Sequence, residues 1–167
     1  LNHILLVNPA HLGDVVISTA ILRDLKIQLP NCKVDFLVGD WAAPILKDHP
    51  GIHQTFYISH WHADRSEEAL TSKKKKYHQQ ANKVILELKN GSYDAIFFLN
   101  SYEPSLISLF KEFERPLIGL VNAGGGPLLS YKGDGSGIHE VQIQASLFTP
   151  WLGKFKDTLQ YKPWLKN

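Results

Sequence analysis

Residues 2–29, NHILLVNPAHLGDVVISTAILRDLKIQL, read as strand, tight turn and helix, and the rest of the chain is organised around that unit. Ile4, Leu5, Leu6 and Val7 form a continuous apolar run, as expected of a strand buried on both faces of a parallel sheet. Asn8, Pro9, Ala10, His11, Leu12 and Gly13 break the run with turn formers. From Asp14 the period changes. Val15, Ser18, Leu22, Leu25 and Leu29 recur at helical spacing and mark one buried face, with Arg23, Asp24, Lys26 and Gln28 off it. Gly13 and Asp14 therefore stand where a buried strand hands over to a helix, the edge at which open α/β sheets bind ligands.

Outward from this unit, strands alternate with helices. Further strands are expected at residues 32–39, 54–59, 94–99 and 116–121. Helices are expected at 41–48, 65–89, 103–113 and 138–149, with Asp64 and Glu67 at capping-box spacing ahead of the second of these. Residues 122–137, NAGGGPLLSYKGDGSG, read as a long flexible loop, because glycine restrains the backbone little. The pattern predicts an α/β, Rossmann-like domain over residues 1–152, with a five- or six-stranded, mostly parallel sheet flanked by helices. Leu5, Phe36, Phe97 and Ile118 should be buried in it. Residues 153–167 read as a linker or exposed tail.

The 167 residues suffice for one such domain with a real core, and 44% apolar with 20% charged residues is ordinary for a globular protein. A net charge of +2 gives no argument for nucleic acid as a partner. Cys32 is the single cysteine, which excludes an intrachain disulfide framework or a cysteine-based zinc site and favours a reducing, cytoplasmic setting. The first residues lack a basic region and cleavage site, and no apolar run approaches the ~20 residues of a spanning helix.

The ordered series Leu12-Gly13-Asp14-Val15-Val16, Leu22-Arg23-Asp24-Leu25-Lys26, Pro30, Val34-Asp35-Phe36-Leu37-Val38, Ala43-Pro44-Ile45-Leu46 and His49-Pro50-Gly51-Ile52 resembles the N-terminal half of glycosyltransferase family 9. Tyr93-Asp94-Ala95-Ile96 and His139-Glu140 continue the likeness. That family includes the bacterial heptosyltransferases that add ADP-activated heptose to the lipopolysaccharide inner core. The resemblance covers most of the chain but one half of such an enzyme. It implies GT-B architecture, with a glycan or glycolipid acceptor held by this domain and the nucleotide-sugar donor by a missing C-terminal domain. It also implies inversion at the anomeric carbon, no cofactor and no metal, and peripheral work at the inner membrane. The aspartate matching Asp14 is the family's proposed catalytic base.

Each candidate has a plainer alternative. Asp14 is an acid in the first turn of a helix, favourable there on electrostatic grounds alone, or a base that takes a proton from a hydroxyl. His11, Leu12 and Gly13 are candidate substrate contacts, the last two through backbone N–H groups that suit an anion. No G-x-G-x-x-G or G-x-x-x-x-G-K-[ST] is present, and Gly124-Gly125-Gly126 is a phosphate cradle or a mobile loop. Asn100 and Ser101 suit sugar hydroxyls, or cap the helix that follows. His60, His62 and Asp64 have the types for a metal but no third histidine nearby, so they read as a polar loop. After its third strand the family carries basic residues that meet acceptor phosphates; here Arg65 is the only basic residue at that point apart from the histidines, and residue matching fails in this region. Lys73, Lys74, Lys75 and Lys76 form a solvated face or a loop between two helices; they also suit an anionic membrane surface or a phosphorylated glycolipid, at ~1 kcal/mol per lysine. His139, at the start of the last helix where the family also tends to place a histidine, reads as structural or as a group supporting the site from behind. Against the transferase stands a different class, a flavodoxin-like small-molecule or phosphate-binding module without chemistry of its own, which composition and periodicity do not separate from it.

Overall fold

The computed structural model describes residues 1–100, 104–120, 126–133, 135, 137, 139–153 and 161–166. Within them β1 (His3–Asn8), β2 (Lys33–Val38), β3 (Gln54–Tyr57), β4 (Ala95–Phe98), β5 (Leu117–Leu120) and β6 (Tyr131–Gly133) form one sheet, in the order β3-β2-β1-β4-β5-β6. Every pairing is parallel. The order reverses between β1 and β4, the pattern of a Rossmann-like sheet with a switch point at its middle.

Both faces are covered, which is why the central strands are apolar throughout. On one face α1 (Leu12–Gln28), α2 (Ala43–Leu46), α5 (Glu140–Ser146) and α6 (Thr149–Leu152) frame a core that includes Leu6, Ile21, Phe36, Phe97, Ile118 and Phe148. Phe97 stacks on Phe148 with centroids 4.2 Å apart. On the other, α3 (Leu70–Lys89) and α4 (Pro104–Ser108) pack Tyr77, Leu88, Leu106 and Phe110 against Leu5, Leu37 and Phe98. Leu5, Phe36, Phe97 and Ile118 are fully buried, as the apolar runs require, each contributing about 1.5–3 kcal/mol of burial.

Several local expectations are corrected. Part of the glycine-rich segment is a strand: Tyr131–Gly133 pairs with β5, because Gly133 serves close packing rather than freedom. A Cβ there would meet the Leu147 side chain at 2.6 Å. Helix α3 starts at Leu70 instead of residue 65, since Asp64 accepts from the Ser66 N–H at 2.8 Å and closes a turn before the helix. The lysine run lies inside that helix and two of its members are tied down. Lys73 donates to the carbonyls of Asp64 (2.9 Å) and Ser66 (2.7 Å), and Lys76 pairs with Asp40 at 3.0 Å. The last helix divides in two before Pro150, which occupies the first turn of α6. Asp24, finally, is not off the buried face: it is 1% exposed, on a helix that packs against α5.

Of the tail, residues 161–166 are described, and Trp164 packs back on the domain. Its N–H donates to Thr19 Oγ1 at 2.9 Å, its carbonyl accepts from His49 Nε2 at 2.6 Å, and its ring lies 4.9 Å from the His49 imidazole. No described helix is long and apolar enough to cross a membrane.

Candidate functional site

A cleft of about 480 Å³ opens at the carboxyl edge of the sheet, at the point where the strand order reverses. Pro9, Ala10 and His11 come to it from the loop after β1, and Asp14 from the first turn of α1. His60, His62 and Ala63 come from the segment after β3, Asn100 from the end of β4, and Leu106 from α4. The topology thus gathers His11, Asp14 and Asn100, three of the residues singled out by sequence, with both histidines of the H-x-H segment. Ser101, Gly124 and Gly125 lie outside the described residues.

Asn8 holds this arrangement together. The sequence places it among the turn formers, yet it is the last residue of β1 and fully buried. Its Nδ2 donates to Ser18 Oγ at 2.7 Å, and Ser18 Oγ donates in turn to the Asp14 carbonyl at 2.9 Å. Its Oδ1 accepts from Asn100 Nδ2 at 3.4 Å. One buried amide therefore ties the end of β1 to the first turn of α1 and to Asn100, two residues past β4. The signal in the sequence was a polar residue closing an apolar run, with a serine on the facing helix.

The same chain of bonds fixes Asp14 by its backbone and leaves its side chain to the cleft. Helix α1 starts at Leu12, so Asp14 is its third residue, and the capping position belongs to His11, whose ring makes no capping bond. The half-buried Asp14 carboxylate accepts no hydrogen bond among the described residues. The amides of Leu12 and Gly13 are the first two of the helix, exposed and without an intrahelical acceptor, so they face outward as anion donors.

A second hollow adjoins the first across His11 and Ala63 and reaches Leu12, Gly13, Trp41, Arg65 and Lys76. Trp41 Nε1 donates to the Ala10 carbonyl at 2.9 Å and pins the loop after β1. Arg65 Nη2 lies 3.2 Å from His11 Nε2. A guanidinium only donates, so that nitrogen of His11 is an acceptor and the proton of the neutral ring sits on Nδ1. Burial raises the Asp40 carboxyl, but the nearby Ser59 hydroxyl and the Lys76 ammonium at 3.0 Å outweigh it and hold the group below the ordinary carboxylate range. Lys76 is raised by the same pairing.

The H-x-H segment packs rather than converges. His60 is 2% exposed, its ring 3.9 Å from Trp61 and 5.0 Å from Tyr77, and its Nδ1 accepts from the His62 N–H at 3.3 Å. Asp64 is engaged in its own turn. His139 caps α5: its Nδ1 accepts from the Val141 N–H at 3.2 Å, and Gln142 reaches back to its N–H at 3.3 Å.

The fold and site define a Rossmann-like domain with an acid at its switch point, and the fold is shared with solved glycosyltransferase structures. No family model matches the chain. A stretch of 52 residues, 31% of this chain, is 35% identical to lipooligosaccharide heptosyltransferase 2 of Haemophilus influenzae, of which it covers 15%. A stretch of 59 residues is 36% identical to the Haemophilus ducreyi protein of the same name and covers 17% of it. Among solved structures, the E. coli heptosyltransferase WaaC with ADP-2-deoxy-2-fluoro heptose superposes with a TM-score of 0.72 at 18% identity, over 95% of this chain and 51% of that one. E. coli ADP-heptose lps heptosyltransferase II gives 0.69 at 15% identity, over 99% and 46%. A glycosyltransferase family 9 protein of Veillonella parvula gives 0.69 at 16%, over 94% and 42%. At these identities the superpositions speak for the fold. The chain spans about half the length of the solved structures it matches. The heptosyltransferase-like resemblance of glycosyltransferase family 9 read in the sequence recurs in both comparisons.

Proposed function

We propose that this chain is the acceptor-binding half of an inverting, heptosyltransferase-like glycosyltransferase of GT-B build, with Asp14 as general base. The whole protein transfers a sugar, heptose from ADP-heptose being the expected donor, to a lipopolysaccharide core or related glycan. The observation that carries the reading is the Asp14 carboxylate: it stands in the switch-point cleft without a hydrogen bond among the described residues, on a backbone held by Asn8 and Ser18. A carboxylate that spends no lone pair on the described residues of its own domain is available to a hydroxyl of the acceptor.

In the reaction the acceptor oxygen forms its bond to the anomeric carbon while the bond from that carbon to ADP breaks. The hydroxyl proton passes to Asp14, and ADP leaves from the opposite face with the bonding pair. A positioned base of this kind contributes typically ~10²–10⁴-fold. Asn100 and the exposed His62 offer donors and acceptors to sugar hydroxyls. His11, with the amides of Leu12 and Gly13, faces an anionic substituent. The ADP-sugar belongs to a second domain beyond this chain, with no cofactor and no resident metal in the transfer. A lipid-linked acceptor brings the protein to the cytoplasmic surface of the inner membrane.

Calorimetry on this chain with ADP and with ADP-heptose tests the division of labour. Weak or no binding is expected. A dissociation constant near micromolar, about 8 kcal/mol of binding free energy, would place the donor site here and contradict the reading.

A further inference from the structure

We propose that His3, Asp35 and His53 form a binding site for a divalent transition-metal ion of the Zn²⁺ type, at the edge of the sheet opposite the cleft. The three residues come from separate segments: the first residue of β1, the middle of β2, and the residue before β3. Their ligand atoms all lie within 4.8 Å of one another. His3 Nε2 is 2.9 Å from Asp35 Oδ2, and His53 Nδ1 is 2.9 Å from Asp35 Oδ1. One carboxylate thus faces a different imidazole with each oxygen. A cation that replaces the imidazole protons meets two nitrogens and a carboxylate, the donor set that suits zinc and its neighbours over magnesium or calcium.

The ligands are held independently of any ion. Asp35 is 2% exposed, and the Tyr93 hydroxyl donates to its Oδ2 at 2.8 Å, a bond that orients the carboxylate. His3 is fixed by pairing with Lys33 and by its N–H donating to Asp94 at 3.2 Å. The His53 N–H donates to the Val34 carbonyl at 2.8 Å. The His53 side chain is 46% exposed, which leaves an open side where water completes the coordination. Binding one imidazole would suffice to balance a buried carboxylate. Two, one on each carboxylate oxygen with their rings 5.8 Å apart, make a chelate.

The test is titration of the chelator-treated chain with Zn²⁺ by calorimetry, with Co²⁺ as the spectroscopic probe and thermal unfolding as a third readout. One ion per chain, binding at micromolar or tighter concentration and raising the unfolding temperature, is expected. His53→Ala and His3→Gln should each weaken binding by at least about 10-fold and abolish the visible Co²⁺ bands. His53→Ala removes a half-exposed side chain bonded to the buried Asp35, and circular dichroism with thermal unfolding of the ion-free variant reports whether the fold is kept. His62→Ala, in the cleft, should leave Zn²⁺ affinity unchanged. No Zn²⁺ binding by the unaltered chain, wild-type affinity in both His53→Ala and His3→Gln, or loss in His62→Ala in their place, would overturn the site.

Discussion

Asp24 carries a cost that its neighbours do not offset. It is 1% exposed on α1, one carboxylate oxygen has no hydrogen-bond partner among the described residues, and burial raises its pKa above the ordinary carboxylate value despite Arg23. The native state therefore holds more protons than the unfolded chain between about 3.9 and the raised value, so stability falls as pH rises through that window. Asp24→Asn removes the charge while keeping the shape. We expect it to raise stability at pH 7 by about 1 kcal/mol in urea unfolding and to flatten the acid-side slope. His49 behaves in the opposite sense. Burial lowers its pKa, and the Gly51 N–H donating to Nδ1 at 3.1 Å leaves the ring proton on Nε2 for Trp164. Its contribution is complete above about pH 6.5 and is lost as pH falls through that value toward the lowered one, because the unfolded imidazole charges first. His49→Gln should flatten the stability curve in that window, read by unfolding at a series of pH values; an unchanged slope would mean the Trp164 contact is not formed in solution.

At the scale of elements, β1 and α1 were legible because their periods differ so sharply: four consecutive apolar residues, then buried positions at helical spacing. What periodicity does not carry is where an element begins when side chains from elsewhere satisfy its end. Helix α3 starts late because Lys73 and Ser66 close the turn ahead of it. Strand β6 was hidden because glycine reads as freedom, whereas Gly133 is there for its missing Cβ. Asn8 was hidden for a related reason: an asparagine after a strand reads as a turn, and only the facing Ser18 makes it a buried tie. Asn8→Ala breaks that tie and leaves the first turn of α1 less firmly held. A loss of about 1–3 kcal/mol in urea unfolding is expected, with amide exchange accelerating first at the start of α1.

For the whole molecule, the strand order decides where chemistry belongs. With β1 and β4 adjacent at the centre and their crossovers running in opposite directions, the loops after them part and leave the cleft that holds Asp14, His11 and Asn100. The alternation of strands and helices was enough to expect that edge, and the family resemblance was enough to single out Asp14. The convergence of His3, Asp35 and His53 was not legible, since it depends on the register of three strands' ends that lie far apart in the sequence. The central claim is that Asp14 works as the base, and the direct measurement is kcat of Asp14→Asn in the whole protein with ADP-heptose and a core acceptor. Asn keeps the size of the side chain, and no bond among the described residues is lost, so stability should stay within about 0.5 kcal/mol of wild type. The account predicts a fall in kcat of ~100-fold or more. Retention of most of the wild-type kcat would contradict it and leave Asp14 as no more than an acid in the first turn of a helix.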